Sequence, residues 1–180
     1  MPNPYIATVV ILTINFSILQ MNGIINSQLG NFGVLLYFPA LFFLPATIYL
    51  ERKYAIFVLF ITGFGIDYHF NTVLGFHSFA LIFFHLIAKD LLRLGQSGEI
   101  LRPHVLQVIA NAIISFGLFF FLLLEMEGRG KWTVSNFLVD FIVSTALFWF
   151  LSNWFDALCN RVLKLVDFNQ EVILRNNENH

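Results

Sequence analysis

The sequence predicts an all-α polytopic membrane protein with about six transmembrane helices. Three observations carry that prediction. The 180-residue chain is 58% hydrophobic and only 12% charged, against roughly 25% charged in an ordinary soluble domain. Its mean hydropathy is +0.76. No Asp, Glu, Lys or Arg precedes Glu51, and so long a charge-free stretch exceeds the ~20 apolar residues that cross a bilayer once. A soluble fold of this size cannot hide that much apolar surface, so the solvent is lipid. The apolar runs are continuous and lack the alternation of a β-barrel strand. Helices follow, because backbone groups in hydrocarbon must be satisfied internally.

The length suits one transmembrane domain, residues 1–165, with a cytoplasmic tail at 166–180. The first helix is expected at about 5–22. It has no basic n-region and no A-x-A-like site after it, so it reads as a retained helix and not as a signal peptide. The second, at 33–50, contains Pro39 and Pro45. These should kink or break it, with neighbouring helices satisfying the freed carbonyls. The third, at 54–68, is short for a span. The fourth covers 74–92. The fifth, at 105–124, is an unbroken run without a charge. The sixth covers 134–158. The tail DFNQEVILRNNENH turns polar after Leu174, and disorder is expected at its end. Cys159 is the single cysteine, so no internal disulfide forms.

Basic residues give the orientation. Six spans place Arg52, Lys53, Lys89, Arg93, Arg102, Arg161, Lys164 and Arg175 on one side, and Arg129 and Lys131 on the other. The positive-inside rule then puts both termini in the cytoplasm. The outer side receives the Asn-rich first loop, the Asp67–Thr72 turn and the EMEGRGKWT loop. Trp132 and Trp154 fall near opposite ends of the sixth helix, where interfacial Trp belongs.

Polar residues recur at helical spacing inside the spans. His104, Gln107, Asn111 and Ser115 share one face of the fifth helix, and Asn136, Asp140 and Ser144 share one face of the sixth. Either they hydrogen-bond across helices as bundle glue, or they line a polar cavity or partner face. Thr8, Asn15 and Asn22 form a narrow stripe on the first helix. A polar stripe facing lipid is unfavourable, so it should face the bundle or a partner helix.

The stretch GFGIDYHFNTVLGFHSFALIFFH, residues 63–85, holds Asp67, His77 and His85 in apolar and aromatic company. Gly63 and Gly65 let another helix approach closely. Asp67 should sit near the outer interface. Asn71 or Thr72 would cap the fourth helix, with Gly75 in its first turn. Asp67 and His77 would then meet across the turn. One reading is an ion or proton site, the default for intramembrane ionisable groups. The other is a polar clamp holding a helix–turn–helix corner. His85 shares a stripe with Ser78 and Lys89.

Residues 63–93, GFGIDYHFNTVLGFHSFALIFFHLIAKDLLR, resemble the bacterial rod shape-determining protein MreD family. That family's usual form is Gly, three apolar residues and Asp, then a small-residue turn and Leu-Gly-Leu-His-Ala. Gly63, Asp67, Leu74, Gly75, His77 and Ser78 fill corresponding places, and Phe76 stands where Leu is commoner. The turn DYHFNTV lacks the Gly and Pro often found there. The resemblance implies a non-catalytic protein of the bacterial inner membrane that supports lateral peptidoglycan synthesis. It implies MreC, RodA, a penicillin-binding transpeptidase and, indirectly, MreB as partners. It also implies a bundle similar to the S-components of energy-coupling-factor transporters, which makes a vitamin-binding subunit the alternative function. Under the resemblance, the Thr8/Asn15 face would help seat a single-span helix such as that of MreC; the competing expectation is packing against the sixth helix.

An enzyme is not expected. There is no G-x-S-x-G, no H-E-x-x-H and no Cys/His cluster at metal spacing. No cofactor is implied, and a net charge of −1 suggests no nucleic-acid partner.

Overall fold

The computed structural model describes residues 3–94, 103–125 and 134–178. Helices dominate, and no strand occurs among the described residues. Helix α1 runs Pro4–Leu29, opened by the Asn3 side chain accepting from Tyr5 N at 3.0 Å. It continues a full seven residues beyond Asn22, so the expected loop there is helix. A 3-10 turn, Gly30–Phe32, ends at Gly33, whose φ of 70° is left-handed.

The segment expected as one helix over 33–50 is not one. Residues 34–38 lack helical structure. A 3-10 turn follows at Pro39–Leu41, then the short helix α2, Phe43–Tyr49. Both prolines sit where their missing N–H does no harm: Pro39 opens the turn, and Pro45 lies in the first turn of α2, where N–H groups have no intrahelical acceptor.

Helix α3 spans Arg52–Phe70, α4 Phe76–Leu94 and α5 Pro103–Glu125. Helix α6 runs Val134–Glu178, so it passes Leu158 and continues through most of the segment expected as a tail, including part of the end expected to be disordered. The buried side chains Phe148, Ser152, Phe155, Cys159 and Leu163 recur every three or four residues and carry the packed stripe past that point. The EMEGRGKWT loop from Met126 onward, with Trp132, lies outside the described residues, as does Arg102.

Helices α1, α5 and α6 are long and apolar enough to cross a membrane. Many large apolar side chains point outward, Phe79, Phe120, Ile142 and Phe150 among them, as a lipid-facing surface requires. The broken segment lies at the centre. Every residue from Leu36 to Thr47 is buried, and the segment is contacted by α1, α3, α4, α5 and α6. The most extensive helix pair is α3 with α4. Gly63 makes that approach possible: a Cβ there would lie 2.3 Å from the Ser78 backbone nitrogen. The Ser78 hydroxyl donates across the crossing to Phe60 O at 2.8 Å.

Candidate functional site

Two buried polar constellations occupy this core. The first is the α3–α4 corner. Asn71 ends α3 in a left-handed conformation, φ 51°, which Asn tolerates better than most residues. Thr72 N donates back to Asp67 O at 2.9 Å. Gly75 has φ 96°, beyond the easy reach of other residues. The chain thus reverses with Asn71 and Gly75 at positive φ.

Asp67 holds the reversal from inside. Its Oδ2 accepts from Gly75 N at 2.7 Å. Its Oδ1 accepts from His77 N at 3.2 Å, the Thr72 hydroxyl at 3.0 Å and His77 Nδ1 at 2.5 Å. Asp67, and not Asn71 or Thr72, therefore supplies the acceptor at the start of α4, and Gly75 precedes the helix instead of lying in its first turn. Negative charge is favoured at that helix terminus. The carboxylate only accepts, so Nδ1 of His77 carries a proton. Neutral imidazole then presents Nε2 as an acceptor, and the Tyr37 hydroxyl donates to it. Asp67 and His77 have no exposed surface. The Tyr37–His77–Asp67 chain is closed: each polar hydrogen has an acceptor, and no ion is needed to complete it.

The second constellation is a cradle for the non-helical backbone. Asn26 forms a reciprocal pair with Leu36: Leu36 N donates to Oδ1 at 2.7 Å, and Nδ2 donates to Leu36 O at 2.9 Å. Leu35 N donates to Asp140 Oδ1 at 2.8 Å, and Tyr37 N to Ser144 Oγ at 2.9 Å. Asn111 accepts from Ala40 N at 3.3 Å and donates toward Tyr37 O at 3.5 Å. Gln107 Nε2 donates to Leu41 O at 3.2 Å. Ser152 donates to Gln107 Oε1 and accepts from His104 Nδ1, so a short relay fixes the Gln107 amide. Thr47 gives its proton to Phe43 O at 2.7 Å and accepts from His85 Nδ1 at 2.9 Å.

Of the residues singled out in the sequence, Gly63, Asp67, Gly75 and His77 come together at the corner. Asn111 and Asp140 belong to the cradle, as glue directed at backbone. Asn136 is exposed. The Thr8/Asn15 face is internal, which overturns its use as a partner seat. Asn15 Nδ2 donates to Thr62 Oγ1 at 3.0 Å, and the Thr8 hydroxyl donates to Pro4 O at 2.7 Å. The main packing neighbour is α3 and not α6. Sequence reasoning missed Asn26, Tyr37, Thr47 and Thr62. Only Asn26 carried a usable signal, since 15, 22 and 26 continue one helical face.

Beside Tyr37 lies a space of about 10 Å³ lined by Ser115, Asp140 and Ser144, about the room for one water. A larger cleft of about 540 Å³ lies at the other end of the bundle, between Asn3, Glu51, Asn160 and Lys164. No cluster of three or more His, Cys, Asp or Glu positioned for a metal occurs among the described residues.

Fold and site together define a bundle that is helical among the described residues, has three helices long and apolar enough to cross a membrane, and is braced by buried polar clamps. No family model matches the chain, and no curated protein and no solved structure matches it.

Proposed function

We propose that this chain is a non-catalytic, multi-pass component of the bacterial rod-shape machinery, resembling MreD and acting by architecture. The observation that carries the proposal is the corner at Gly63, Asp67, Gly75 and His77. The residues that make the family resemblance are the ones that close the α3–α4 junction. Their hydrogen bonds leave no polar hydrogen of the Tyr37–His77–Asp67 chain without an acceptor, which suits a joint in a scaffold. Six crossings are part of the reading. The broken segment needs only 17 residues, since extended backbone rises about 3.3 Å per residue against 1.5 Å in a helix. Laid end to end, its stretch from Val34 to Leu50 would reach at most roughly 33 Å, enough for the ~30 Å hydrocarbon core. The basic asymmetry puts both termini in the cytoplasm, and MreC, RodA, a transpeptidase and MreB are the partners the resemblance names.

The vitamin-binding alternative, with an S-component-like bundle, draws less support. Its ligand site would lie at the outer end, where the space beside Tyr37 is about 10 Å³. The test is affinity purification from native membranes with depletion in parallel. Co-purification of an MreC-type protein and rounding of depleted cells support the scaffold. A stoichiometric small molecule without either result refutes it.

A further inference from the structure

The cleft of about 540 Å³ lies between the start of α1, the end of α2 and α6. Its size falls within the roughly 300–1,000 Å³ of small-molecule sites. The Tyr49 hydroxyl donates to Asp156 Oδ1 at 3.1 Å and ties the end of α2 to α6. Leu50 then leaves the helix in an extended conformation, φ −116° and ψ 150°, and carries the chain to Glu51 at the rim. The floor is apolar, since Ala7, Leu50 and Leu163 are buried there. Three charged residues complete the lining, Glu51, Lys164 and Asp167. Lys164 makes no ion pair among the described residues. Tyr5, beside the lining residue Pro4, meets Tyr54 edge-on at 5.5 Å, and Lys53 Nζ lies 4.7 Å from the Tyr54 ring centre. Aromatic rings beside a base belong at the membrane–water interface, so the cleft lies at headgroup depth.

We propose that this cleft binds the headgroup of an aminophospholipid of the phosphatidylethanolamine kind, its phosphate at Lys164 and its ammonium at Glu51 and Asp167. Charge selects the occupant. Two acids and one base line the cleft, so an anionic headgroup would bring its phosphate to a wall of net negative charge. A zwitterion answers both signs. A primary ammonium donates three hydrogen bonds, and a trimethylated one donates none. Glu51 lies 3.8 Å from Lys53, and both are exposed. A pair of that kind is weak and leaves the carboxylate room for a second cation. The exposed Ile48 borders the same cleft and, with the apolar floor, suits the start of an acyl chain. This inference needs the membrane setting and not the cell-shape role.

The experiment is native mass spectrometry of the intact chain, purified in mild detergent and given equal amounts of phosphatidylethanolamine, phosphatidylglycerol and phosphatidylcholine. Phosphatidylethanolamine should be retained in preference to the other two. Glu51→Gln and Lys164→Gln should each weaken its retention by up to about fivefold, as loss of an exposed charge pair does. Arg161→Gln, at an exposed base of α6 outside the cleft, should leave it unchanged. All three altered side chains are exposed, and Glu51 gives α3 no side-chain cap, so folding is not at stake. Glycerophosphoethanolamine, the same headgroup without acyl chains, should not displace the lipid at equal concentration. Retention of no lipid, preference for either other lipid, or equal retention of all three overturns the proposal. So does unchanged retention in either cleft variant, or an equal loss in Arg161→Gln. Displacement by the acyl-free headgroup overturns it as well, because the ligand would then be a soluble phosphate ester.

Discussion

Replacing Asp67 by Asn separates a clamp from an ionisable site, because every partner of Asp67 is a donor. Four hydrogen bonds converge on its two oxygens. Asn offers one oxygen and one NH2. With the oxygen turned toward Gly75, the NH2 faces three donors. With the oxygen turned toward His77 and Thr72, the NH2 meets Gly75 N at the 2.7 Å now occupied by a hydrogen bond. The second orientation is milder, and it still sets the new NH2 against the Gly75 N–H, donor against donor, which costs at least about 1–3 kcal/mol. The three remaining bonds lose their charge assistance, which roughly halves each. Together these lower stability by about 2–4 kcal/mol. At 2–4 °C per kcal/mol for a chain of this size, Tm should fall by roughly 4–16 °C. The assay is thermal unfolding in detergent, read beside abundance in the membrane. A variant with unchanged Tm and abundance but lost function would refute the clamp and favour a role for the charge itself.

Asn26→Leu strips both partners from Leu36 and should cost about 2–6 kcal/mol, measured by the same unfolding assay, with Phe150→Leu on the lipid face as a neutral comparison. Gly63→Ala should loosen the α3–α4 crossing and lower Tm, since its methyl group meets Ser78 backbone. Gly30→Ala should not, because nothing lies within 4 Å of an added Cβ there; equal effects would remove the close-approach argument. Reporter fusions within residues 127–131 and after Asn177 should read periplasmic and cytoplasmic respectively, and a periplasmic signal from the second would sink the six-span topology.

Periodicity exposed the polar faces of α5 and α6 because a helix projects every third or fourth residue to one side. Pro39 and Pro45 signalled a broken second segment, although the irregular stretch lies at residues 34–38, before Pro39, and Pro45 sits inside the first turn of α2. What those faces grip was not legible. The partners of Asn111 and Asp140 are backbone groups about 70 and 105 residues away in the chain, and spacing carries no information about them. The corner was legible because Asp67 and His77 are ten residues apart and joined by a single turn. Tyr37 completes the same network from 40 residues upstream and looked like one more aromatic in an apolar run. The ends of α1 and α6 were misplaced for a shared reason: NGIINSQL and the stretch after Leu158 are polar enough to resemble connections. Tertiary contacts, Asn26 with Leu36 and the buried Cys159 and Leu163, keep them helical.

Lipid tails are as apolar as leucine, so burial alone gives helices in a bilayer little reason to choose one arrangement over another. A non-helical segment changes that. Its backbone groups have no partner of their own, and each left unpaired in hydrocarbon costs several kcal/mol. Here Leu35, Leu36, Tyr37, Ala40 and Leu41 are paired by side chains from α1, α5 and α6. Sliding or rotating any one of those helices by a residue would carry its Asn, Gln, Asp or Ser away from the carbonyl or amide it serves. The penalty falls on backbone that no other group can reach. The cradle therefore converts one irregular strand of chain into a register for three helices, while Tyr37 passes the same constraint through His77 to the α3–α4 corner. Polar residues in this core are thus directed at backbone geometry. A bundle made rigid in that way presents fixed outer faces, which is the property a membrane scaffold needs from its interior.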